Sequence, residues 1–561
     1  MVLWTDLAVD KRRRQLDAIP RAWLISPPSG ILDVTAVPES CGLLSDEEIT
    51  ITRSSVDILL SKLARGVWSS VQVTTAFYKR AVVAHQLVNC LTEIFVERAL
   101  AHAAKLDEHL KRTGQVVGPL HGLPISLKDQ LCIEGLETTM GYVSWIGKYA
   151  DKNAVLVDVL IECGAVPFVR TNVPQTLMWP ETFNNVFGRT LNPYRTSHTS
   201  GGSSGCEGAL LALRGSPLGV GSDVGGSVRI PAAFCGLFAL RPSYGRIPYC
   251  GAVNSLEGQD SILSVFGPMT ASISGLKAFV RAVVHAKPWL KDPLAIRKKW
   301  DEEEYMLVEH GNGNGLCFAI MWDDGVVVPH PPVTRALRKV KDVLEKAGHK
   351  VIDWTPFKHN ELGNLTRDIW NAASAEDYKV TTASTGEPVI PTMELDVTGP
   401  ATIAPFRPAR PGISAYQLWQ AQKTKRDIRK EYLDRWDRTS SVTDTGRPVD
   451  AIIGPAAPYA AVPHGKNRYT NYTTVWNALD YVSSIFPVTA VNPALDSKKG
   501  PHIFISDFDR EIYEQYDPEV FKGLPVCLQL TGRTLEEEAV IAMTEIVDMA
   551  LAKHAKNDAK L

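Results

Sequence analysis

The sequence lacks a cysteine framework. Its nine cysteines are scattered over 561 residues, an odd number with no CxxC pair and no metal-ligand spacing. That excludes a disulfide scaffold and reads as reduced thiols in an intracellular protein. Charge of one sign is also missing: 60 lysines and arginines stand against 62 acidic residues, a formal net charge of −2. Such a balance selects neither nucleic acid nor an anionic membrane as partner. The one basic run, Lys11-Arg12-Arg13-Arg14, lies among Asp6, Asp10 and Asp17 and reads as a solvated helix face. No apolar run approaches the ~20 residues needed to cross a bilayer. The longest, 230–240, contains Pro231 and Gly236. The opening Met1-Val2-Leu3-Trp4-Thr5-Asp6 has no charged segment leading into an apolar one, so no signal peptide and a soluble, cytoplasmic chain are expected. The closing Ala559-Lys560-Leu561 nearly matches the Ser-Lys-Leu address, which makes the peroxisome the alternative location. Internal repeats and low-complexity segments are absent as well.

What is present is enough apolar residue, 45%, to bury a large core. Val56, Leu59, Leu60 and Leu63 fall at helical spacing behind Ser54 and Ser55 as caps. A second amphipathic helix runs over 95–111 and stops at Thr113-Gly114. The period then changes. A short buried strand over 124–127 leads into Lys128, a helix over 155–161 ends at Gly164, and a strand follows over 165–169. Helix 205–213 and strand 218–222 come next. The region 287–411 is irregular, rich in proline and exposed charge, broken by a strand at 316–321 and a helix at 334–347. It is the expected place for substrate-shaping loops. Strands at 449–453 and 524–530 and a helix at 535–551 close the chain. Helices alternating with buried strands predict an α/β fold, a mostly parallel or mixed sheet covered on both faces.

Two glycine-rich turns and one lysine carry the chemistry. Gly201-Gly202-Ser203-Ser204-Gly205 is followed by Gly221-Ser222-Asp223-Val224-Gly225-Gly226-Ser227-Val228-Arg229, and upstream stands Gly122-Leu123-Pro124-Ile125-Ser126-Leu127-Lys128-Asp129. Cleaving an amide needs an activated nucleophile, a proton donor for the leaving nitrogen and donors aimed at the oxyanion. Glycines before Ser227 let successive N–H groups converge beside its hydroxyl. Lys128 acts as a base only when neutral, and its apolar neighbours Pro124, Ile125 and Leu127 supply desolvation. Ser203 is placed to relay a proton between the two.

These motifs resemble the signature of the amidase signature family. Arg170-Thr171-Asn172-Val173-Pro174-Gln175, residues 449–455 and Gly523-Leu524-Pro525-Val526 agree with it. Nearly the whole chain is similar to the fungal acetamidase branch. The resemblance implies a single α/β/α domain on a large mixed sheet, residues 51–561, with a helical extension, 1–50, packed on it. It implies Ser227 as acyl-enzyme nucleophile, Ser203 as relay behind a cis Gly202–Ser203 bond, and Lys128 as base and later acid. The N–H groups of Val224, Gly225, Gly226 and Ser227 would form the oxyanion hole, supported by Ser204, Asp223 and Arg229. The expected substrate is a small carboxylic amide, aliphatic or arylacetic, with no metal and no organic cofactor; a homodimer is a family-level expectation. Two positions depart from the pattern: Cys206 stands where glycine is usual and Ser222 where threonine is commoner. Met178 and Trp179 hint at an apolar acyl pocket, and core packing explains them equally well.

Other readings remain open at this stage. Gly201 to Gly205 satisfies GxSxG, the nucleophile elbow of α/β-hydrolases, but follows the polar, turn-like Asn192 to Thr199 rather than a buried strand. Gly219 and Gly221 near Gly225 do not make a dinucleotide loop. The same acyl-enzyme would also serve amide formation or transfer, or a transamidation subunit with partner chains.

Overall fold

The computed structural model describes residues 3–390 and 412–558. The terminal tripeptide 559–561 and part of the irregular middle therefore lie outside the described residues. Eleven strands form one sheet: β1 Leu91–Ile94, β2 Pro124–Lys128, β3 Val166–Thr171, β4 Leu218–Asp223, β5 Phe238–Arg241, β6 Val265–Thr270, β7 Cys317–Ile320, β8 Lys350–Asp353, β9 Ala451–Pro455, β10 Ser483–Ala490 and β11 Pro525–Thr531. Their spatial order is β1-β3-β2-β4-β6-β5-β10-β11-β9-β7-β8. The sheet is mixed. β2 runs parallel to β3 and β4, and β7 parallel to β8 and β9, while the other pairs are antiparallel.

Every residue of β2, β4, β6 and β11 is buried. Successive strand side chains point to opposite faces, so continuous burial means that both faces are covered. One hydrophobic cluster extends from Ile19 to Leu551, the signature of a single core. Helix Gly205–Ala212 lies against β2, β4 and β6. No described helix is long and apolar enough to cross a membrane.

The helix expected at 95–111 is Val96–Thr113, and Gly114 closes it in the left-handed region at φ 69°. The helix at 56–63 is Val56–Ala64 with Ser55 as N-cap, although the Ser55 side chain makes no capping bond to it. Region 287–411 is more regular than its composition suggests. Helix Pro331–Lys346 begins on its two prolines, which are tolerated where N–H groups have no helical partner. Helices His359–Trp370 and Ser374–Thr382 follow. His359, Leu362, Gly363, Thr366 and Ile369 form the buried face of the first, a helical period carried largely by small and polar residues. The segment before Ser200 is also a strand, Arg195–Thr199, but it pairs with Leu191–Asn192 in a ribbon outside the main sheet.

At the amino end, helix Trp4–Asp17 lies on the sheet edge. Gln15 Nε2 donates to the Leu91 carbonyl and Lys11 pairs with both Glu93 and Glu137. The functional residues gather at the same end of the neighbouring strands, since Leu91 faces Thr171 on β3 and Thr171 faces Lys128 on β2. β2 and β4 run side by side, Leu127 opposite Val220, so Lys128 and Asp223 both stand at carboxyl ends of parallel strands. That is where open α/β sheets place their ligands.

Candidate active site

Lys128 ends β2 with no exposed surface. Its Nζ lies 2.7 Å from Ser203 Oγ and 2.8 Å from Ser222 Oγ. Burial pushes its pKa down from 10.5 to about 7, with Asp223, Glu207 and Cys206 opposing that fall. The sequence places the desolvation in Pro124, Ile125 and Leu127; all three are buried, but alternation along the strand turns Ile125 and Leu127 to the face opposite Lys128. What it did not single out is Glu207. This fully buried carboxylate accepts from Ser126 Oγ at 2.6 Å and Thr171 Oγ1 at 2.8 Å. Ser126 shares the Lys128 face of β2, and Thr171 is the partner of Lys128 on β3. Burial raises Glu207 to about 7, against the pull of those hydroxyls and of Lys128. A Cβ on Gly219 would come within 2.1 Å of Glu207 Oε2, so glycine in β4 makes room for the carboxylate.

Ser203 sits in the turn that opens helix Gly205–Ala212, 2% exposed, and the Gly202–Ser203 peptide bond is cis. A Cβ on Gly202 would meet three backbone atoms of Trp179 and Glu181 within 2.7 Å, so only glycine fits there. Ser204 joins this turn to the next. Its N–H donates to the Ser227 carbonyl at 3.1 Å, and its Oγ accepts from the Ser222 N–H at 3.3 Å.

Ser227 lies in the loop between β4 and helix Arg229–Phe234, half-buried at the cavity wall. Asp223 organises that loop. Its carboxylate accepts from the N–H groups of Gly226 at 2.8 Å, Val228 at 3.2 Å and Arg229 at 3.4 Å. The Arg229 guanidinium reaches both of its oxygens at 3.0 Å, and Asn477 Nδ2 adds a bond of 2.9 Å. Burial works against the charge on Asp223, but Arg229 and Asn477 outweigh it and hold the carboxyl well below the usual range. Thr473 Oγ1 pins the loop by donating to the Gly225 carbonyl at 2.7 Å. Gly226 takes φ 128°, and a Cβ there would meet Thr473 Oγ1 at 2.2 Å.

One expected donor is otherwise engaged. The Gly226 N–H points at Asp223, whereas those of Val224, Gly225 and Ser227 have no acceptor among the described residues. Cys206 is fully buried, 2.8 Å from Thr190 Oγ1, and burial drives its pKa far above the ordinary thiol value. It packs as a buried small residue at the helix start.

Ser203, Ser222, Val224 and Ser227 open on a cavity of about 350 Å³. Met178 lines it as the sequence suggests, beside Leu177; Trp179 packs instead on Tyr378 and Ile390. The opposite wall was not foreseen. Tyr249, Asn254, Leu256, Ile262 and Leu263 come from the stretch between β5 and β6, and Trp370 from the end of its helix. A Cβ on Gly225 would lie 2.7 Å from the Trp370 ring. No motif marks these residues, because loops that shape a pocket need only bulk and polarity in the right place.

A cavity lined by Ser203, Ser222 and Ser227, with a fully buried lysine behind Ser203, is the candidate site of an acyl-transferring enzyme. The Amidase family model matches residues 72–541, and the chain belongs to that family. It is 45% identical over 550 residues to an acetamidase of Aspergillus oryzae, covering 98% of this chain and 99% of the relative. To an acetamidase of Emericella nidulans it is 42% identical, covering 98% of each. The solved structure of a fatty acid amide hydrolase superposes with a TM-score of 0.89 at 32% identity, covering 98% of this chain and 95% of that one. A peptide amidase from Stenotrophomonas maltophilia shares the fold, with TM-score 0.66 at 19% identity over 89% of this chain and 97% of that one.

Proposed function

We propose that this amidase hydrolyses a small carboxylic amide, releasing ammonia or an amine, through an acyl-enzyme on Ser227. The observation that carries the reading is a fully buried lysine within hydrogen-bond distance of Ser203, on the wall of the cavity that Ser227 also lines. Neutral Lys128 takes a proton from Ser203 as Ser203 takes one from Ser227, and Ser227 Oγ attacks the carbonyl carbon. The N–H groups of Val224, Gly225 and Ser227 receive the oxyanion, while Gly226 serves through its bond to Asp223. The lysine then returns the proton through Ser203 to the leaving nitrogen. Water enters by the same route in reverse and frees the acid. Asp223, Arg229 and Ser204 hold the loop. In this reading residues 1–50 are an extension packed on a catalytic domain, 51–561, and the region 287–411 contributes Trp370 to the acyl pocket. A cavity of about 350 Å³ exceeds what acetamide fills and favours arylacetic or medium aliphatic acyl groups.

The test is ammonia release from acetamide, phenylacetamide, indoleacetamide and longer amides, with and without hydroxylamine. A hydroxamate formed from the same amide that yields ammonia is the expected result, since the acyl-enzyme partitions between two acceptors. Ammonia without any hydroxamate would argue for direct attack by water, and turnover of no amide would remove hydrolysis as the reading.

The pH profile follows from Lys128. Below its pKa of about 7 the amine is protonated and cannot accept a proton. The expected kcat/KM falls about tenfold per pH unit below that point and levels above it. A profile flat from pH 5 to 8 would exclude Lys128 as the base.

A further inference from the structure

Among the described residues two hydroxyl oxygens meet the Lys128 amine, Ser203 Oγ at 2.7 Å and Ser222 Oγ at 2.8 Å. A neutral amine has two N–H bonds and a single lone pair. Which oxygen faces the lone pair decides whether Lys128 can receive a proton from Ser203. Ser222 has no proton to offer, because its hydroxyl donates to Gln130 Oε1. Gln130 cannot turn over to release it. Its Nε2 lies 3.2 Å from the Val253 carbonyl, which only accepts, 3.0 Å from Asn254 Oδ1 and 2.9 Å from the Tyr249 hydroxyl. The Tyr249 proton is itself directed to Asn254 Oδ1 at 3.0 Å. A flipped amide would set its oxygen against the Val253 carbonyl and leave Nε2 on Ser222. Gln130 is fully buried, so water does not compete for its bonds.

We propose that Gln130 and Ser222 are positioning residues for the base: Ser222, held as an acceptor by Gln130, takes an N–H of Lys128 and leaves the lone pair facing Ser203. The inference rests on the reading of Lys128 as base. Charged and titratable neighbours of the amine are Asp223, Glu207 and Cys206, and none of them belongs to this relay. The relay ends on Tyr249 and Asn254, which line the same cavity as Ser227. The base and the acyl-pocket wall thus share one hydrogen-bond chain.

An alkyl fluorophosphonate tests this without knowledge of the natural amide. Ser227 Oγ would form a bond to phosphorus as fluoride leaves, its proton passing to Lys128 through Ser203. Labelling rates at pH 8 are compared for the wild type, Ser222→Ala, Ser222→Thr, Gln130→Met and the Ser222→Ala/Gln130→Met double variant, with melting temperatures recorded for each. Both single losses are expected to slow labelling about tenfold to a hundredfold, the range for misplacing a reacting group. Ser222→Thr keeps the hydroxyl and should stay within about twofold of the wild type. The double variant should be no slower than the worse single variant, because both break one chain. Folded Ser222→Ala or Gln130→Met labelling at the wild-type rate overturns the relay, as do multiplying losses in the double variant. If Ser222→Ala does not fold, Gln130→Met and Ser222→Thr decide alone. A wild type labelled elsewhere than Ser227, or a Lys128→Ala variant labelled as fast as the wild type, instead sinks the reading of the site and the relay with it.

Discussion

Ser227→Ala is expected to lower ammonia release by roughly 10⁴- to 10⁶-fold, the range seen when a covalent nucleophile that works as part of a unit is deleted. The substitution removes one oxygen and leaves the backbone N–H of residue 227 in place. Asp223 still fixes the loop through Gly226, Val228 and Arg229. The hydroxyl is half-buried at the cavity wall, so its loss opens no core void and the melting temperature should stay close to that of the wild type. Ser203→Ala leaves the nucleophile but interrupts the path to Lys128. A double variant lacking both serines should be scarcely worse than Ser227→Ala, since one function cannot be lost twice. Ammonia release from the three variants on a single amide supplies the comparison. If Ser203→Ala proved dead while Ser227→Ala kept most of the activity, Ser203 would be the nucleophile and the elbow reading of Gly201 to Gly205 would return.

Much of this site was legible because its parts are local in sequence. Lys128, Ser203 and Ser227 stand in glycine-rich or strand-end motifs, and the spacing of apolar residues around them gave the strands that carry them. The mixed eleven-stranded sheet follows the alternating pattern, and the elements flanking the site lie within a few residues of their expected bounds. What the pattern missed depends on distant partners. Glu207 reads as one more charged residue in a helix until β2 and β3 bring Ser126 and Thr171 to its oxygens. Gln130 has meaning only beside Val253 and Asn254, more than a hundred residues later. Helix His359–Trp370 was hidden because Gly363 faces Asn471, with Cβ space of only 1.9 Å, so its buried side is small rather than greasy. Strand β10 escaped notice because its first two inward positions are Ser483 and Ser484, whose hydroxyls find Thr531 and Thr544.

Lys128→Met should make the fold more stable while removing its activity. Lowering a lysine from 10.5 to about 7 by burial corresponds to about 5 kcal/mol of unfavourable free energy in the folded state at pH values below about 7. Between those two values the unfolded lysine binds a proton that the folded one does not. Stability of the wild type therefore rises with pH across that window, and the penalty, complete below about pH 7, vanishes towards pH 10.5. Methionine has similar length, fills the same space and carries no charge to desolvate. Ser203 and Ser222 lose one partner each, but Ser222 keeps Gln130, which offsets only part of the gain. The expected result is a melting temperature several degrees above the wild type at pH 7, with the gap narrowing as pH rises to 9. A gap that is absent, or that widens with pH, would mean that Lys128 is held charged in the folded protein and paired with Glu207 or Asp223. An amine stabilised in that way could not serve as the base, so this thermal measurement on two proteins bears directly on the chemistry.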